Sequence, residues 1–259
     1  MTALGYDHVI VPFDASDEAQ HAVLVGSGLA HVMGAELVLA TVDELARSRE
    51  RVVAKARAES LSDDAATMWL EPGRSAAAGL ATMVSYRPNA LVCMATHART
   101  GVLRLVYGSL GEQLLRTIDA PVLLLGPNCR DTDVAKLHHL VVGLDRSDES
   151  DTAVALATRW ARLLTAGTTV VYGREEDEIV IDIDRRIPDL VASSRALDKV
   201  AVPARELAAR LLDIVRHAGG SVIVTTATRQ TGLDRARQEA FIAKLCHDSP
   251  VPVLVQRAP

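Results

Sequence analysis

Two polar loops contain the residues of this chain whose types could do chemistry. Asp14-Ala15-Ser16 follows the first apolar segment, and the loop 95–109 (ATHARTGVLRLVYGS) follows a later one. The second loop ends in Gly108-Ser109, before a helix-like segment. A glycine and the free N–H groups of a helix N-terminus suit an anion such as phosphate. Ser109 and Glu112 also form the S-x-x-E pattern of a capping box, which satisfies such N–H groups without a ligand.

Other catalytic patterns do not occur in the sequence. It contains no G-x-S-x-G elbow, no Walker P-loop and no H-E-x-x-H. His97 and Arg99 have no acidic partner at a diagnostic spacing, so we expect a solvated loop, with phosphate contact as the alternative. We therefore expect no catalytic residue and no metal site.

Alternating strand-like and helix-like segments would bring both loops to one edge of a sheet. In residues 1–128 the predicted strands are 8–13, 36–42, 66–70, 90–95 and 122–125, and the predicted helices are 17–33, 45–60, 75–86 and 109–118. Strands that are apolar on both faces and separated by helices indicate a parallel sheet covered on both sides. Ligands of such doubly wound α/β sheets bind beyond the carboxyl ends of the strands, where both loops lie.

The whole pattern recurs 131 residues later. Residues 14–23 (DASDEAQHAV) and 145–154 (DRSDESDTAV) match at six of ten positions, and the same offset pairs Pro121-Val122-Leu123 with Pro252-Val253-Leu254. The chain is therefore predicted to hold two doubly wound domains, residues 1–128 and 137–259, joined by a polar linker. In the second half we predict strands 140–144, 168–172, 222–226 and 253–256 and helices 149–164, 204–217 and 233–246. The region 173–200, with the acidic run 175–178, has no clear pattern.

Composition narrows the class of protein. A net charge of −5 and a pI near 5.9 favour neither nucleic acid nor an anionic membrane as a partner. Three scattered cysteines fit no disulfide framework or zinc site, and the first residues lack a signal-peptide pattern. We expect a cytoplasmic protein.

Two segments resemble the signatures of one family, the universal stress proteins. VPFDASDEAQHAV resembles the N-terminal signature of that domain, and MATHARTGVLRLVYGSLGEQLLRTIDAPVLLL resembles its C-terminal signature. The likeness extends to both halves, so the chain resembles a tandem universal stress protein with a Rossmann-like fold. The resemblance also implies that the halves pair as a pseudo-dimer through their last strands, 122–125 and 253–255, and a homodimer is compatible with it.

ATP-binding members of this family carry G-x2-G-x9-G-[ST], which implies an ATP site in the first half. By resemblance, Asp14 would lie at the adenosine end and Val42 against the adenine, and Gly108, Ser109 and Leu110 would hold phosphates. The first two glycines of the pattern fall on Ala95 and Ala98, a departure that weakens the match. An added methyl group matters where φ is positive or where a phosphate passes against Cα.

The second half departs further from the pattern. The four positions fall on Thr226, Arg229, Glu239 and Ala240, so no glycine remains. Glu239 would place a negative charge where phosphate should sit. We expect no ATP in this half.

Several of these residues also have purely structural explanations, because equivalent residues occur in both halves. Asp14 and Asp145 could satisfy loop amides instead of meeting a ligand. Ser147, like Ser16, precedes two acidic residues and is predicted to be a helix N-cap. Gly232, like Gly101, is predicted to occupy a turn with positive φ.

Two functions remain open, together with a weaker third. The first is a regulatory protein that binds ATP or a related adenine nucleotide in its N-terminal half, with hydrolysis slow or absent. The second is a nucleotide-free module that acts through domain pairing or protein partners. A flavin-binding electron-transfer role has no specific residue in its favour.

Overall fold

The computed structural model describes residues 5–13, 17–42, 66–70, 75–96, 109–129, 132–145, 147–174 and 183–259. Side chains are described throughout these ranges except at positions 17, 18, 41, 42, 66–70 and 109. The predicted helix 45–60, the loops 14–16 and 97–108 and the acidic run 175–178 lie outside the described residues.

The strands of the two halves correspond one to one at the offset of 131 residues. The first half contains β1 (His8–Pro12), β2 (Glu36–Val42), β3 (Ala66–Leu70), β4 (Ala90–Ala95) and β5 (Val122–Leu125). The second contains β6 (His139–Leu144), β7 (Gly167–Arg174), β8 (Leu197–Pro203), β9 (Ser221–Ala227) and β10 (Val253–Arg257). Strand β8 falls in the region without a clear sequence pattern, although the offset from Ala66–Leu70 points to it.

The described helices follow the same correspondence with local additions. They are α1 (Asp17–Met33), α2 (Ala76–Ser85), α3 (Ser109–Thr117), α4 (Ser150–Leu164), α5 (Ile183–Arg186), α6 (Pro188–Ser193), α7 (Leu207–His217) and α8 (Leu233–Asp248). Ser75 caps α2 by accepting a hydrogen bond from the Ala78 N–H at 3.2 Å. Helix α4 ends at Thr165, which has a left-handed conformation (φ 50°) and bonds back to the Ala161 carbonyl. Within the described residues, no helix is long and apolar enough to cross a membrane.

The described strands form one sheet in the order β3-β2-β1-β4-β5-β10-β9-β6-β7-β8. Within each half every neighbouring pair is parallel, and β1 lies between β2 and β4 just as β6 lies between β7 and β9. The strand order therefore reverses direction beside β1 and beside β6. This is the topological switch point at which doubly wound sheets bind ligands.

The halves are joined through their last strands, as the family resemblance implied. β5 and β10 pair antiparallel, with Leu123 opposite Leu254 and Val122 opposite Val255. Leu123 and Leu254 are equivalent positions in the repeat, so a pseudo-twofold axis passes between them. Both side chains are fully buried. The predicted fold class, two doubly wound domains packed as a pseudo-dimer, is confirmed.

Helices cover both faces of this sheet. Buried side chains from α1 and α4 join one apolar cluster, which includes Trp160 and Tyr6, and those of α2, α3, α7 and α8 join the cluster on the opposite face. Both clusters run across the two halves. The sheet is therefore buried on both sides, which explains why its strands read as nearly continuous apolar runs.

Polar contacts between the halves do not follow the pseudo-symmetry. The Trp160 indole donates to the Tyr6 hydroxyl at 3.0 Å, and the Arg159 guanidinium lies 3.7 Å from the centre of the Tyr6 ring. Near the central strand pair, the Asp119 carboxylate accepts hydrogen bonds from Arg257 and Arg229, chiefly Arg257, which lowers the pKa of Asp119. The equivalent of Trp160 in the first half is Leu29, so the hydrogen bond between Trp160 and Tyr6 has no counterpart across the pseudo-twofold axis.

Candidate functional site

Two of the predicted first-half site residues, Val42 and Ala95, end the strands on either side of β1. β1 pairs with β4 in parallel, so the two carboxyl ends meet at one edge of the sheet. Ala95 ends β4 and is 9% exposed, and Ser109 begins α3. Val42 ends β2, the other neighbour of β1, and Leu110 is half-buried in the first turn of α3.

The remaining predicted site residues lie wholly or partly outside the described part of the chain. Asp14, Ala98 and Gly108 lie outside the described residues, as do the side chains of Val42 and Ser109. Phe13, directly before Asp14, is 3% exposed, and its N–H bonds to the Ala40 carbonyl at 2.8 Å. The chain thus leaves β1 toward this edge of the sheet.

The second half has a cavity of about 460 Å³ at the equivalent edge, which we call the second-half cavity. Its lining comes from the ends of β6, β7 and β9, from the segment before α7 and from α8. The lining residues are Gly143, Asp145, Ser147, Glu149, Ser150, Gly173, Ala204, Leu207, Thr225, Thr226, Thr228, Gln230, Asp234, Arg237, Gln238 and Phe241.

Asp145 organises the loop that enters this cavity from β6. Its Oδ1 accepts hydrogen bonds from the Ser147 N–H at 3.0 Å and from the hydroxyls of Ser147 and Ser150, both at 2.5 Å. This matches the structural explanation of Asp145 as a residue that satisfies loop amides. The prediction that Ser147 caps the helix is wrong: α4 begins at Ser150 after Glu149, which makes no side-chain capping bond. The Ser147 hydroxyl bonds to Asp145 instead.

Gln238 closes the loop after β9 from within α8. Its side-chain oxygen accepts from the Thr228 N–H, and its side-chain nitrogen donates to the Thr226 carbonyl at 3.0 Å. The Gln230 N–H is bonded to the Thr228 hydroxyl at 2.9 Å. Two loop amides that could face a phosphate are therefore already bonded to side chains of the same half.

Glu239 does not act as the sequence suggested. It is not among the residues that line the second-half cavity. Its carboxylate accepts from Arg116 of the first half at 2.8 and 3.0 Å and lies 3.7 Å from Arg235. Glu239 thus contributes to the contact between the halves, and Gln238 is the residue that hydrogen-bonds to the loop after β9.

Gly232 confirms its predicted conformation. Its φ is +73°, and an added Cβ would meet nothing within 4 Å, so the backbone angle rather than space requires a glycine. It directly precedes α8. Its repeat partner, Gly101, lies outside the described residues.

Among the described residues that line the second-half cavity, negative charge predominates. Asp145, Glu149 and Asp234 contribute three carboxylates, and Arg237 contributes one guanidinium, which lies 3.6 Å from Asp234. A nucleoside polyphosphate brought here would meet more repulsion than attraction.

Thr226 is a polar residue of this site that the sequence analysis treated only as the loss of a glycine. It is 3% exposed and lines the cavity, and its Oγ1 is buried with no hydrogen-bond partner among the described residues. Buried hydroxyls normally have a partner, so a lone one is unusual; this oxygen is closed off from solvent, and another molecule would reach it only after the side chain turned toward the cavity. Position alone could have suggested Thr226, because it is the repeat equivalent of Ala95 and lies one residue before the end of β9.

Solved structures with this fold were found by comparison. A universal stress protein from Archaeoglobus fulgidus DSM 4304 has a TM-score of 0.74 at 14% identity, over 98% of this chain and 97% of that one. A protein of unknown function from Pseudomonas aeruginosa PAO1 has a TM-score of 0.62 at 14% identity, over 99% and 94%. The cytoplasmic domain of a prokaryotic cation chloride cotransporter has a TM-score of 0.56 at 10% identity, over 97% and 95%.

No protein-family model matches the sequence, and no curated protein matches it either. The structural likeness nevertheless extends over nearly the whole of both chains in each comparison. The chain has the tandem universal stress protein fold. The cotransporter domain shows that the same architecture also occurs in a different kind of protein, and a fold by itself does not determine function.

Proposed function

We propose that this chain is a regulatory protein of the universal stress type that binds ATP or a related adenine nucleotide in its N-terminal half. The observation that carries the proposal is the switch point at which the carboxyl ends of β1 and β4 lie side by side, together with a helix, α3, that follows β4 in the chain and begins at Ser109. A nucleotide there would have its phosphates near Gly108, Ser109 and Leu110, at the N-terminus of α3, where free N–H groups and the helix dipole favour negative charge.

The other predicted contacts surround the same point. Asp14 follows β1 by two residues and would bind the adenosine end, and Val42 ends the neighbouring β2 and would lie against the adenine. Ala95 and Ala98 replace two glycines, so their methyl groups would border the phosphates and weaken binding. We expect affinity in the micromolar to millimolar range, or about −8 to −4 kcal/mol.

Nucleotide would act as a signal in this proposal. The sequence offers no general base or nucleophile at a diagnostic spacing, so hydrolysis would be slow or absent. Bound ATP could change the function only by binding one conformation or assembly better than another.

The second half serves as a partner domain without ATP. Support comes from the loop amides bonded to Gln238 and Thr228, together with the three carboxylates of the second-half cavity. The nucleotide-free alternative for the whole chain would require that the first half, like the second, binds no ATP.

The test is to purify the protein, denature it, measure released adenine nucleotide, and then titrate ATP by calorimetry. ATP should bind to the wild type, and Gly108→Glu, which copies the second half, should abolish binding. Ala240→Ser, which copies the first half, should change nothing. No heat of binding at millimolar ATP would reject the proposal, and binding that survives Gly108→Glu would show that the site lies elsewhere.

A further inference from the structure

We infer that the second-half cavity is a binding site of its own, for a phosphate-free organic molecule of nucleoside size that is neutral or singly cationic and rich in hydrogen-bond donors. The proposed function assigns ATP to the first half and no ligand to the second. This inference therefore stands apart from it.

Size and wall chemistry indicate a small organic ligand. A volume of about 460 Å³ lies in the range typical of small-molecule sites, about 300–1,000 Å³. Phe241 and Leu207 provide apolar surface on the side of the helices, and Thr225 and Thr226 provide hydroxyls at the end of β9. Apolar walls with a few fixed polar groups are the usual composition of such sites.

Charge determines which ligands are accepted. Among the described lining residues, the carboxylates of Asp145, Glu149 and Asp234 outnumber the guanidinium of Arg237, which is itself near Asp234. Carboxylates accept hydrogen bonds and donate none, so they favour ligand hydroxyls and amines and repel phosphates.

Hydrogen bonds in the loop after β9 lead to the same conclusion. The Thr228 and Gln230 N–H groups bond to Gln238 and Thr228 side chains, so they are not available to bind an anion. A phosphate would have to break these bonds before it gained any.

Thr226 provides the independent sign of a ligand. Its side chain is 3% exposed and its Oγ1 has no partner within the described part of the chain, yet the residue lines the cavity. The Oγ1 is closed off from solvent, so a ligand in the cavity reaches it only when the Thr226 side chain turns toward the cavity; the hydrogen bond then formed offsets the cost of a buried hydroxyl without a partner.

Fluorine NMR can examine each half separately, because the chain has only two phenylalanines, one beside each site. Phe13 directly precedes Asp14 in the first half, and Phe241 lines the second-half cavity. The full chain labelled with 4-fluorophenylalanine should give two signals, which Phe241→Leu assigns. The probes are adenosine and ATP, which differ only in the phosphates.

We expect adenosine to shift the Phe241 signal saturably at millimolar concentration, while ATP at the same concentration leaves it in place. Thr226→Val keeps the shape and removes the hydroxyl, so it should weaken adenosine binding about three- to tenfold. Ala204→Trp places a large ring at the cavity edge and should abolish the shift, while Ala204→Ser, the matched control, should retain it.

Three results would overturn the inference: no Phe241 shift with adenosine, an equal shift with ATP, or an adenosine shift that persists in Ala204→Trp. The proposed function has a separate readout, since ATP should move the Phe13 signal. Its failure would leave Phe13 unmoved by ATP whatever happens at Phe241.

Discussion

The segment after β4 and the segment after β9 are equivalent in the sequence repeat, yet they carry different residues. The first segment includes Tyr107-Gly108-Ser109, and the equivalent residues of the second half, Gln238-Glu239-Ala240, lie within α8. In the second copy Gln238 satisfies the loop and Glu239 binds Arg116 across the halves. The same arrangement of strands and helices thus accepts two different sequences at this position, because the buried core stabilises the fold and these three residues of the second half lie outside it.

The largest expected loss of stability comes from changes in β5 and β10, the strand pair that joins the two halves. Leu254→Ala should lower the free energy of unfolding by about 2–5 kcal/mol, because the side chain is fully buried at the centre of the sheet. Leu123→Ala, its pseudo-symmetric partner, should cost a similar amount. Urea unfolding of both variants measures this, with Leu233→Ala, at a 76% exposed position, as the control that changes little. Clearly unequal costs at Leu123 and Leu254 would contradict an equivalent role for the two strands.

The next effect is specific to the second half. Gln238→Ala should lower the free energy of unfolding by about 1–2 kcal/mol, because the Thr228 N–H and the Thr226 carbonyl lose their partners. Gln230→Ala is the matched control, since the exposed Gln230 takes part through its backbone N–H. Gln238→Ala should gain no ATP binding in the second half, because the carboxylates of the cavity remain. Unchanged stability would mean that Gln238 does not hold this loop.

A smaller loss of stability is expected when the ion pairs of Glu239 with Arg116 and Arg235 are removed. Glu239→Gln removes the negative charge that Arg116 and Arg235 share, which should cost about 0.3–1 kcal/mol for a partly exposed pair. The cost should fall in high salt because exposed charges are screened. Thermal unfolding at low and high salt measures it. A loss above about 2 kcal/mol, or one independent of salt, would indicate a buried role for Glu239.

The smallest effect is the pH dependence that His139 gives to the free energy of unfolding. Burial, the largest cause, lowers the pKa of His139 below its ordinary value of 6.5, and the ring bonds to the Thr169 hydroxyl at 3.0 Å. The unfolded chain therefore takes up this proton first. The contribution of neutral His139 is present above pH 6.5 and is lost as pH falls through 6.5 toward the folded pKa.

His139→Gln should flatten the stability profile in that window, measured by urea unfolding between pH 5 and pH 7.5. His8→Gln is the matched control, because His8 lies beside Glu36 at 3.0 Å instead of a hydroxyl. An equal flattening by both variants would contradict a difference between the halves.

The scaffold was largely predictable because burial leaves a strong pattern in the sequence. The predicted strands 36–42, 90–95 and 122–125 and the helix 17–33 agree with the structure at both ends. The repeat supplied the second half at the same offset. Strand β8 was not predicted, although the offset from 66–70 points to it, because Asp198 and Lys199 make this exposed edge strand less apolar.

The candidate site was harder to predict because side-chain direction decides its chemistry. Glu239 and Gln238 are neighbours in the sequence, yet one faces the first half and the other the loop after β9. Ser147 was expected to cap α4, but the Asp145 carboxylate holds its hydroxyl. Such choices depend on which partners the tertiary structure brings near, and spacing along the chain does not record them.

The central claim is that the two halves are functionally unequal, with one nucleotide site per chain. The most direct measurement is the stoichiometry of ATP binding to the full chain, by calorimetry or equilibrium dialysis, for the wild type and Gly108→Glu. We expect one ATP per chain in the wild type and none in the variant. Two ATP per chain, or one that remains in Gly108→Glu, would contradict the claim.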